Sequence, residues 1–540
     1  MKDKGKSMYR IMFMAGLCIA AGAFGQQGRR GSGPPGATES QAPGAPAAPP
    51  VDTAPQAVER FSKTQHTIHA GGAELAYTAT AGTLVLKKED GKAKASIFFI
   101  AYTLDSASDR SRRPLTFSFN GGPGSSSVWL HMGALGPKRV SLPADGSTPP
   151  PPPYRVVDNE QTSLKYTDLV FIDPVSTGFS RAAPGENPSQ FHGYDADIEE
   201  VAEFIRLYLT KFDRWSSPKF LAGESYGTTR AAGLSEYLLR HDGIYLNGIS
   251  LISSVLNFGT IRFAAGHDLP YILYLPSYTA AAWYHKKLPA ELQNATLESA
   301  VEQSRKFAAG EYTLALMKGN KLTPAERAEL GKKLARFTGL RPEFVVESNF
   351  RVLVSRYFKE LLRDQRRTIG RYDDRLEGID LDSAGENAEY DPSYSAVQGA
   401  FTAAFNDYVH SELKWESDIP YEILTGKVNP WSYARQQNQY LNVAEPLRQA
   451  MTQNPALHVL SMNGYYDMAT PFFATEYVFS HMGLDSSLAG NVQFAYCDAG
   501  HMMYTRKSCL DALDKAMSEL YVTALRAAPA GGKGAPSTVK

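Results

Sequence analysis

Residues 219–228, KFLAGESYGT, decide the fold class of this 540-residue chain. A short apolar run at 220–222 leads into Gly-Glu-Ser-Tyr-Gly, and a segment of helical character follows at 229–240. A serine between two glycines, at a sharp turn from a strand into a helix, is typical of the nucleophile elbow. Chance alone would supply roughly 0.2–0.3 such matches in a chain of this size. The motif therefore indicates catalysis only if the chain also supplies an oxyanion hole, an acid and a histidine.

The composition is that of a globular protein, with 43% hydrophobic and 21% charged residues. The 56 basic and 56 acidic side chains give a formal net charge of zero. Neither nucleic acid nor an anionic membrane surface is therefore favoured as a partner. The oligomeric state is left open by the sequence.

Both ends of the chain have the composition of segments outside a folded core. Basic residues precede an apolar run at 11–24 that is too short for a comfortable membrane span. Residues 1–25 are therefore predicted to be a signal peptide, with an uncleaved anchor as the alternative. We expect export to the periplasm or the medium, and no membrane contact in the mature form. Residues 26–57 and 528–540, rich in Gly, Pro and Ala, are predicted to be disordered.

Strand and helix patterns on either side of the elbow predict a mostly parallel, doubly wound α/β sheet. Residues 64–120 are predicted to form hairpins, with separate strands at 75–80 and 83–87 on either side of Gly82. Strands then alternate with helices from 168 to 258. The alternation stops there and resumes at 457. We therefore expect one core made of residues 58–258 and 446–527. Residues 259–445 are expected to form a helical cap inserted between its two halves.

Within the predicted cap, three local patterns lead to expectations. Thr323, Pro324 and Glu326 match a helix start with a capping box. The basic stretch 363–371 is interpreted as a solvated helix face. Aromatic residues near the start of the cap either line a pocket or pack inside it, and packing is favoured: these are Tyr271, Tyr274, Tyr278 and Trp283.

An acid and a histidine follow the last two strands. Asp467 ends the run NGYYD and His501 lies in DAGHM, each just past a predicted strand. The carboxyl ends of parallel strands share one edge of a sheet, the edge at which Ser225 is also expected. The order Ser, Asp, His is that of α/β-hydrolases. Ser225 is thus the candidate nucleophile, His501 its base and Asp467 the acid that orients the base, with Asp498 as a rival acid.

Two further features bear on this site. The run NGGPGSSS, which begins at Asn120, ends a strand in a glycine-rich loop where backbone N–H groups can point at one oxygen. A phosphate cradle is the competing interpretation, but the Gly-Lys-Ser/Thr ending is missing. Cys497 and Cys509 bracket His501 and form either a disulfide or two buried thiols.

Five blocks taken together resemble the successive signatures of the serine carboxypeptidase family: NGGPGSSS, FIDPVSTGFSR, GESYGT, NGYYD and AGHMMY, within residues 115–505. On this resemblance the chain looks like a bacterial member of the family that lacks most of the family's cysteines. The resemblance implies an α/β-hydrolase fold with a helical cap and hydrolysis of C-terminal residues from peptides through an acyl-enzyme. It implies neither a metal nor a cofactor.

The resemblance also implies roles for residues around the nucleophile. The backbone N–H groups of Gly122 and Tyr226 would form the oxyanion hole. Asn120, the backbone of Gly121 and Glu224 would hold the substrate's C-terminal carboxylate. Glu224 can donate a hydrogen bond to that carboxylate if a raised pKa keeps it protonated, and the alternative is a glutamate turned into solvent.

One departure from the family concerns carboxylate recognition. The family usually has a further glutamate after the glycine loop, and Ala134 stands at that position. A carboxypeptidase most active at mildly acidic pH is the leading hypothesis. An esterase or acyltransferase with the same triad is the alternative. A catalytically silent binding protein is a third possibility.

Overall fold

The elbow strand lies in the middle of a ten-stranded sheet. The computed structural model describes residues 57–107, 109–146 and 151–526. The predicted signal peptide, nearly all of the predicted leader and the predicted tail lie outside these ranges. The described strands are β1 Phe61–Ala70, β2 Ala73–Lys87, β3 Ala93–Leu104, β4 Leu115–Phe119, β5 Lys138–Val140, β6 Val156–Asp158, β7 Asp168–Ile172, β8 Arg181–Ala182, β9 Lys219–Ser225, β10 Gly248–Ser254, β11 Thr368–Ile369, β12 Glu377–Gly378, β13 His458–Gly464 and β14 Val492–Cys497.

The strand order of the large sheet is β1-β2-β3-β7-β4-β9-β10-β13-β14, and β8 pairs with β3. Strands β1, β2 and β3 form an antiparallel meander that joins β7 in antiparallel fashion. From β7 to β14 all neighbouring strands are parallel. The predicted mostly parallel α/β sheet is confirmed, and β9 lies between β4 and β10.

The described α-helices are α1 Val128–Leu130, α2 Tyr194–Lys211, α3 Tyr226–Asp242, α4 Leu269–Tyr284, α5 Ala290–Gln293, α6 Leu297–Phe307, α7 Thr313–Lys318, α8 Pro324–Thr338, α9 Pro342–Glu347, α10 Val354–Glu360, α11 Pro392–Ser411, α12 Ala444–Gln453, α13 Phe472–His481 and α14 Lys507–Ala524. Helix α8 begins with the predicted capping box. None of the helices in the described ranges has the length and apolarity to cross a membrane.

Helices cover both faces of the sheet because its strands are apolar on both sides. Along β9, Phe220 and Ala222 enter one buried cluster, whereas Leu221 enters the other. The first cluster also contains residues of α11 and α14, and the second contains residues of α2, α3 and α12. This two-sided burial explains why the parallel strands are nearly continuous apolar runs.

Strand β2 differs from the sequence prediction, which placed two short strands on either side of Gly82. Gly82 instead pairs with Phe61 in β1 and with Phe99 in β3, inside one uninterrupted strand. A Cβ atom at Gly82 would lie 2.6 Å from the Phe61 ring. The glycine therefore makes room for an aromatic ring and does not form a turn.

The segment between β10 and β13 contains two kinds of helix. Residues of α4, α8 and α10 share a separate buried cluster, which packs the predicted cap. Helix α11 belongs instead to one of the two clusters on the main sheet, where Phe401 and Phe405 are fully buried. All of these helices belong to the same compact unit as the sheet.

Candidate active site

Ser225 is the last residue of β9 and directly precedes α3. Its φ angle of 59° lies in the left-handed region, which side-chain-bearing residues seldom adopt. The flanking glycines are required by crowding, since a Cβ at Gly223 would lie 2.2 Å from Gly227 O. A Cβ at Gly121 would likewise lie 2.4 Å from Tyr226 N. The structure therefore places the glycine loop directly against a sharp strand-to-helix turn.

His501 and Asp467 lie together at the carboxyl edge of the sheet. His501 Nδ1 is 2.7 Å from Asp467 Oδ2, and both side chains are almost completely buried. Burial alone would lower the pKa of His501, but the Asp467 carboxylate, with a smaller contribution from Glu224, outweighs burial and raises that pKa. His501 and Ser225 line the same pocket. The arrangement gives the imidazole a fixed carboxylate partner beside the serine.

The loop after β13 holds the Asp467 carboxylate in place. Asp467 Oδ1 accepts hydrogen bonds from the backbone N–H groups of Ala469, at 2.7 Å, and Thr470, at 3.0 Å. The Thr470 hydroxyl donates to Oδ2 at 2.7 Å. These donors stabilise the ionised carboxylate in a buried position. The rival acid Asp498 is exposed and pairs with Arg506 at 2.5 Å.

A short hairpin from the inserted segment supports both loops, and we name residues 368–378, which include β11 and β12, the support hairpin. Tyr372 O accepts a hydrogen bond from His501 N at 2.5 Å, and Arg371 O accepts one from Met468 N at 3.1 Å. Asp373 Oδ2 accepts one from Gly500 N at 3.2 Å. The hairpin therefore joins the acid loop to the base loop.

The prediction of a solvated helix face at 363–371 is wrong. Residues Arg363–Gln365 form a single 3-10 turn, and Thr368–Ile369 is strand β11. Arg371 follows that strand and lines the site beside Ser225. The local run of basic residues gave no sign of this placement, because it depends on pairing with β12.

The glycine loop is anchored through Asn120. Asn120 Oδ1 accepts a hydrogen bond from Leu130 N at 3.0 Å, and Asn120 O accepts one from Arg230 Nη1 at 2.7 Å. Arg230 is itself buried and pairs with Asp197 at 2.8 Å. Because both oxygens of Asn120 are occupied, its Nδ2 group is left to face Glu224. Sequence reasoning did not identify Arg230 or Asp197.

Glu224 is only 3% exposed, and it directly precedes the half-buried Ser225. Burial raises the pKa of its carboxyl to about 7, and His501, Tyr504 and Asn120 oppose this rise. The approach of Asn120 and Tyr504 to Glu224 falls short of hydrogen-bond geometry: among the described residues, Glu224 Oε2, Asn120 Nδ2 and Tyr504 OH each lack a partner. A buried polar atom without a partner is costly unless a ligand supplies one. Three such atoms meet at this place.

Tyr504 occupies the space beside the position of the missing acid. Ala134 is buried, and a Cβ at neighbouring Gly133 would lie 2.4 Å from the Tyr504 ring. Burial raises the pKa of the Tyr504 hydroxyl well above its ordinary value, so the hydroxyl stays protonated. A neutral donor therefore stands next to Glu224 where the resemblance leads us to expect a second acid. The sequence did contain a signal for this placement of Tyr504. It consists of the two small residues Gly133 and Ala134 and of a tyrosine three residues after His501.

Two concave regions meet at Ser225. The first, which we name the Glu224 pocket, has a volume of about 80 Å³, and its lining includes Asn120, Gly121, Glu224 and His501. The second, which we name the Arg262 cavity, has a volume of about 350 Å³, and its lining includes Tyr226, Arg262 and Tyr274. Gly122, Ser225 and Arg371 line both. The structure thus brings all eight predicted site residues to one place, with Asp467 directly behind His501.

Of the aromatic residues at the start of the cap, one lines a pocket and another packs inside the cap. Tyr274 lines the Arg262 cavity. Tyr278 packs inside the cap, where its ring stacks on Tyr357 with 4.1 Å between centroids.

The two cysteines that remain beyond the predicted signal peptide are joined. Cys497 ends β14, Cys509 lies in α14, and a disulfide links them across 12 positions of sequence. With Asp498 they form one cluster of metal-ligand type in the described part of the chain. Because both sulfurs are bonded to each other, they are not free to bind a metal.

The fold and the arrangement of Ser225, Asp467 and His501 place the protein among the α/β-hydrolases. A family model described as "Serine carboxypeptidase" matches residues 76–507. The chain belongs to the serine carboxypeptidase family of hydrolases.

Individual relatives match shorter stretches. The pheromone-processing carboxypeptidase KEX1 of Saccharomyces cerevisiae is 31% identical over 173 residues, which are 30% of this chain and 22% of that protein. Serine carboxypeptidase-like 36 of Arabidopsis thaliana is 31% identical over 168 residues, 30% of this chain and 33% of that protein. The chain therefore spans a third or less of the length of these two relatives. The crystal structure of the Saccharomyces cerevisiae KEX1 carboxypeptidase aligns with 82% of this chain and 91% of that chain, at 18% identity and a TM-score of 0.49.

Proposed function

We propose that the protein is a serine-type carboxypeptidase that releases C-terminal residues from peptides. The observation that carries this proposal is Glu224, a buried carboxyl next to the nucleophile with an unpartnered oxygen. An ionised carboxylate there would oppose the developing oxyanion of a general esterase. A protonated one, with a pKa of about 7, donates a hydrogen bond to a substrate carboxylate.

In the proposed mechanism, Ser225 Oγ attacks the carbonyl carbon of the last peptide bond while His501 Nε2 takes the hydroxyl proton. Asp467 holds the His501 tautomer and stabilises the imidazolium. His501 then gives the proton to the departing amine as the C–N bond breaks, which leaves an acyl-enzyme on Ser225. Water, deprotonated by His501, releases the shortened peptide and restores Ser225.

The oxyanion is proposed to bind the backbone N–H groups of Gly122 and Tyr226. Tyr226 is the first residue of α3, so its N–H has no acceptor within the helix. The amino end of α3 adds a favourable dipole for negative charge. Gly122 lines both regions at Ser225, which supports its assignment to the oxyanion hole.

The substrate's terminal carboxylate is proposed to bind in the Glu224 pocket. Asn120 Nδ2, the backbone N–H of Gly121 and protonated Glu224 are its donors. Tyr504 acts through Glu224 as a positioning residue, because its hydroxyl lies next to that carboxyl and lowers its pKa. Tyr504 thereby takes the place of the acid that is absent at Ala134.

A fluorophosphonate probe and mass spectrometry of peptide products test the proposal together. We expect wild type to be labelled at Ser225 and to shorten free-acid peptides one residue at a time. Ser225→Ala should show neither reaction. Absence of labelling in folded wild type would favour the catalytically silent alternative.

A second candidate function is that of an esterase or acyltransferase on the same machinery, and Ala134 favours it. An acyl-enzyme can pass its acyl group to an alcohol or amine as well as to water. Turnover of small acyl esters by wild type, with no release of residues from free-acid peptides, would support this second function. Under either function we also propose export of the mature protein, which detection of the chain in a culture's periplasmic or medium fraction would test.

A further inference from the structure

Ser225 lines both the Arg262 cavity and the Glu224 pocket, whereas Glu224 lines only the latter. The oxyanion residues of the Arg262 cavity, Gly122 and Tyr226, face the carbonyl group that Ser225 attacks. On the proposed function, the departing residue fills the Glu224 pocket, so the Arg262 cavity receives the residue that supplies the attacked carbonyl. That residue is the penultimate one of the peptide, and its side chain extends into about 350 Å³.

The charge of this cavity is unbalanced. Its lining contains two arginines, Arg262 and Arg371, and no aspartate or glutamate. Both side chains are exposed, and neither guanidinium forms an ion pair with a carboxylate in the described part of the chain. Two acids lie near Arg371 without forming an ion pair with its guanidinium: Asp467 binds His501, and Asp391 accepts hydrogen bonds from the Arg371 backbone N–H and from the Ser393 hydroxyl.

The backbone of each arginine is held, and its guanidinium lies against aromatic residues. The Arg262 guanidinium approaches the Tyr433 hydroxyl, and that of Arg371 lies 5.1 Å from the centroid of the Tyr372 ring. Arg262 N donates to Phe258 O at 3.1 Å, and its guanidinium lies 5.6 Å from the centroid of the Phe258 ring. Arg371 N donates to Asp391 Oδ1, and its O accepts from Met468 N, both at 3.1 Å. The forked guanidinium donors are thus already placed at the cavity before a substrate arrives, which favours recognition of a carboxylate.

We propose that the Arg262 cavity selects peptides whose penultimate residue is Asp or Glu. Their carboxylates match the two guanidinium groups in charge and in hydrogen-bond geometry. A penultimate Lys or Arg would meet two like charges with no acid in the lining to offset them. Most of the remaining lining is apolar or aromatic and fits the carbon chain of the side chain, as at Val255, Ile261, Phe263, Tyr274 and Met468.

Arg262 gives the sharper test of the two, because Arg371 also borders the Glu224 pocket. The experiment uses three free-acid peptides that differ only in a penultimate Glu, Gln or Lys. It measures kcat/KM for release of the common last residue by wild type, Arg262→Gln and Arg262→Glu. The matched control is Arg112→Gln, which removes an exposed arginine before the amino end of β4, at the opposite edge of the sheet.

We expect wild type and Arg112→Gln to prefer Glu over Gln by about tenfold, with Lys the poorest substrate. Arg262→Gln should lose most of this preference, and Arg262→Glu should favour Lys. Added salt should narrow the differences in kcat/KM between the three peptides, because salt screens the attraction between the substrate carboxylate and the arginines. Equal kcat/KM on all three peptides in wild type would overturn this inference alone. Failure of wild type to shorten any of them would overturn the proposed function, and this inference with it.

Discussion

His501 Nδ1 lies 2.7 Å from Asp467 Oδ2, although the two residues belong to different loops of the sheet edge. Three further donors from Ala469 and Thr470 surround the carboxylate. These donors therefore hold the Asp467 carboxylate in place independently of its contact with the imidazole. The orientation of the base is a property of the folded loop and does not require substrate.

Replacing Asp467 tests whether this carboxylate selects the His501 tautomer. We expect Asp467→Asn to lower kcat by about 10⁴-fold, because an amide can hold the imidazole with its proton on the wrong nitrogen. Steady-state kinetics on a free-acid peptide would measure the loss. Asp498→Asn is the control, since Asp498 is exposed and pairs with Arg506, and it should keep nearly full activity. An equal loss in the two variants would contradict the assignment.

The pH dependence of substrate binding follows from Glu224. Burial raises its pKa to about 7, so the carboxyl is protonated and donates below that pH, and is ionised and repels a substrate carboxylate above it. KM for a free-acid peptide should therefore rise as pH increases from 6 to 8.5. In Glu224→Gln the amide donates at every pH, so KM should stay flat over that range. A parallel rise of KM in both proteins would exclude Glu224 as the cause.

Protonation of His501 should set the acidic limit of activity. Asp467 raises the pKa of His501, and only the neutral imidazole can accept the Ser225 proton. Activity should therefore fall at acidic pH and be greatest near neutrality, above the mildly acidic range that the sequence led us to expect. Glu224 and His501 each shift the pKa of the other. The two apparent pKa values of the kcat/KM profile therefore describe the coupled pair and not either residue alone.

Removing the Tyr504 hydroxyl tests its positioning role. Tyr504→Phe keeps the ring that packs against Gly133, so the fold should be retained. We expect KM for a free-acid peptide to rise about fivefold to tenfold, consistent with the loss of one hydrogen-bonding group. The alkaline limb should also move to higher pH, because the hydroxyl lowers the pKa of Glu224. A higher KM with an unmoved alkaline limb would indicate a purely structural role.

The disulfide should stabilise the segment that carries His501. Closing a loop of this length contributes about 3 kcal/mol in the chain-entropy description. Cys509→Ser should therefore lower the free energy of unfolding by about that amount in a denaturant titration. Wild type treated with a reductant should behave like the variant. Identical unfolding of oxidised wild type and Cys509→Ser would show that the link contributes nothing.

Features that depend on local pattern were predictable. The elbow at Ser225 follows from a strand, two glycines and a helix in direct succession. Asp467 and His501 follow from a general rule, that loops leaving parallel strands share one edge of the sheet. The α/β fold was predicted for the same reason, because alternating strands and helices leave few arrangements.

Features that depend on distant packing were not predictable. Arg371 and Tyr372 reach the site only because the support hairpin pairs with itself and then with loops about 100 residues later in the chain. The run of basic residues around them had indicated a helix face exposed to solvent. Gly82 misled in a similar way, since its role is to admit the Phe61 ring from another strand.

The central claim is that Glu224, beside Ser225, recognises a C-terminal carboxylate, and the most direct test compares a peptide with its C-terminally amidated twin. Mass spectrometry would follow release of the last residue from both by wild type, with Ser225→Ala as the blank. The account predicts that the free acid is shortened at least about tenfold faster than the amide at pH 6, where a charge-assisted bond from Glu224 forms. Equal rates on the two peptides would contradict it.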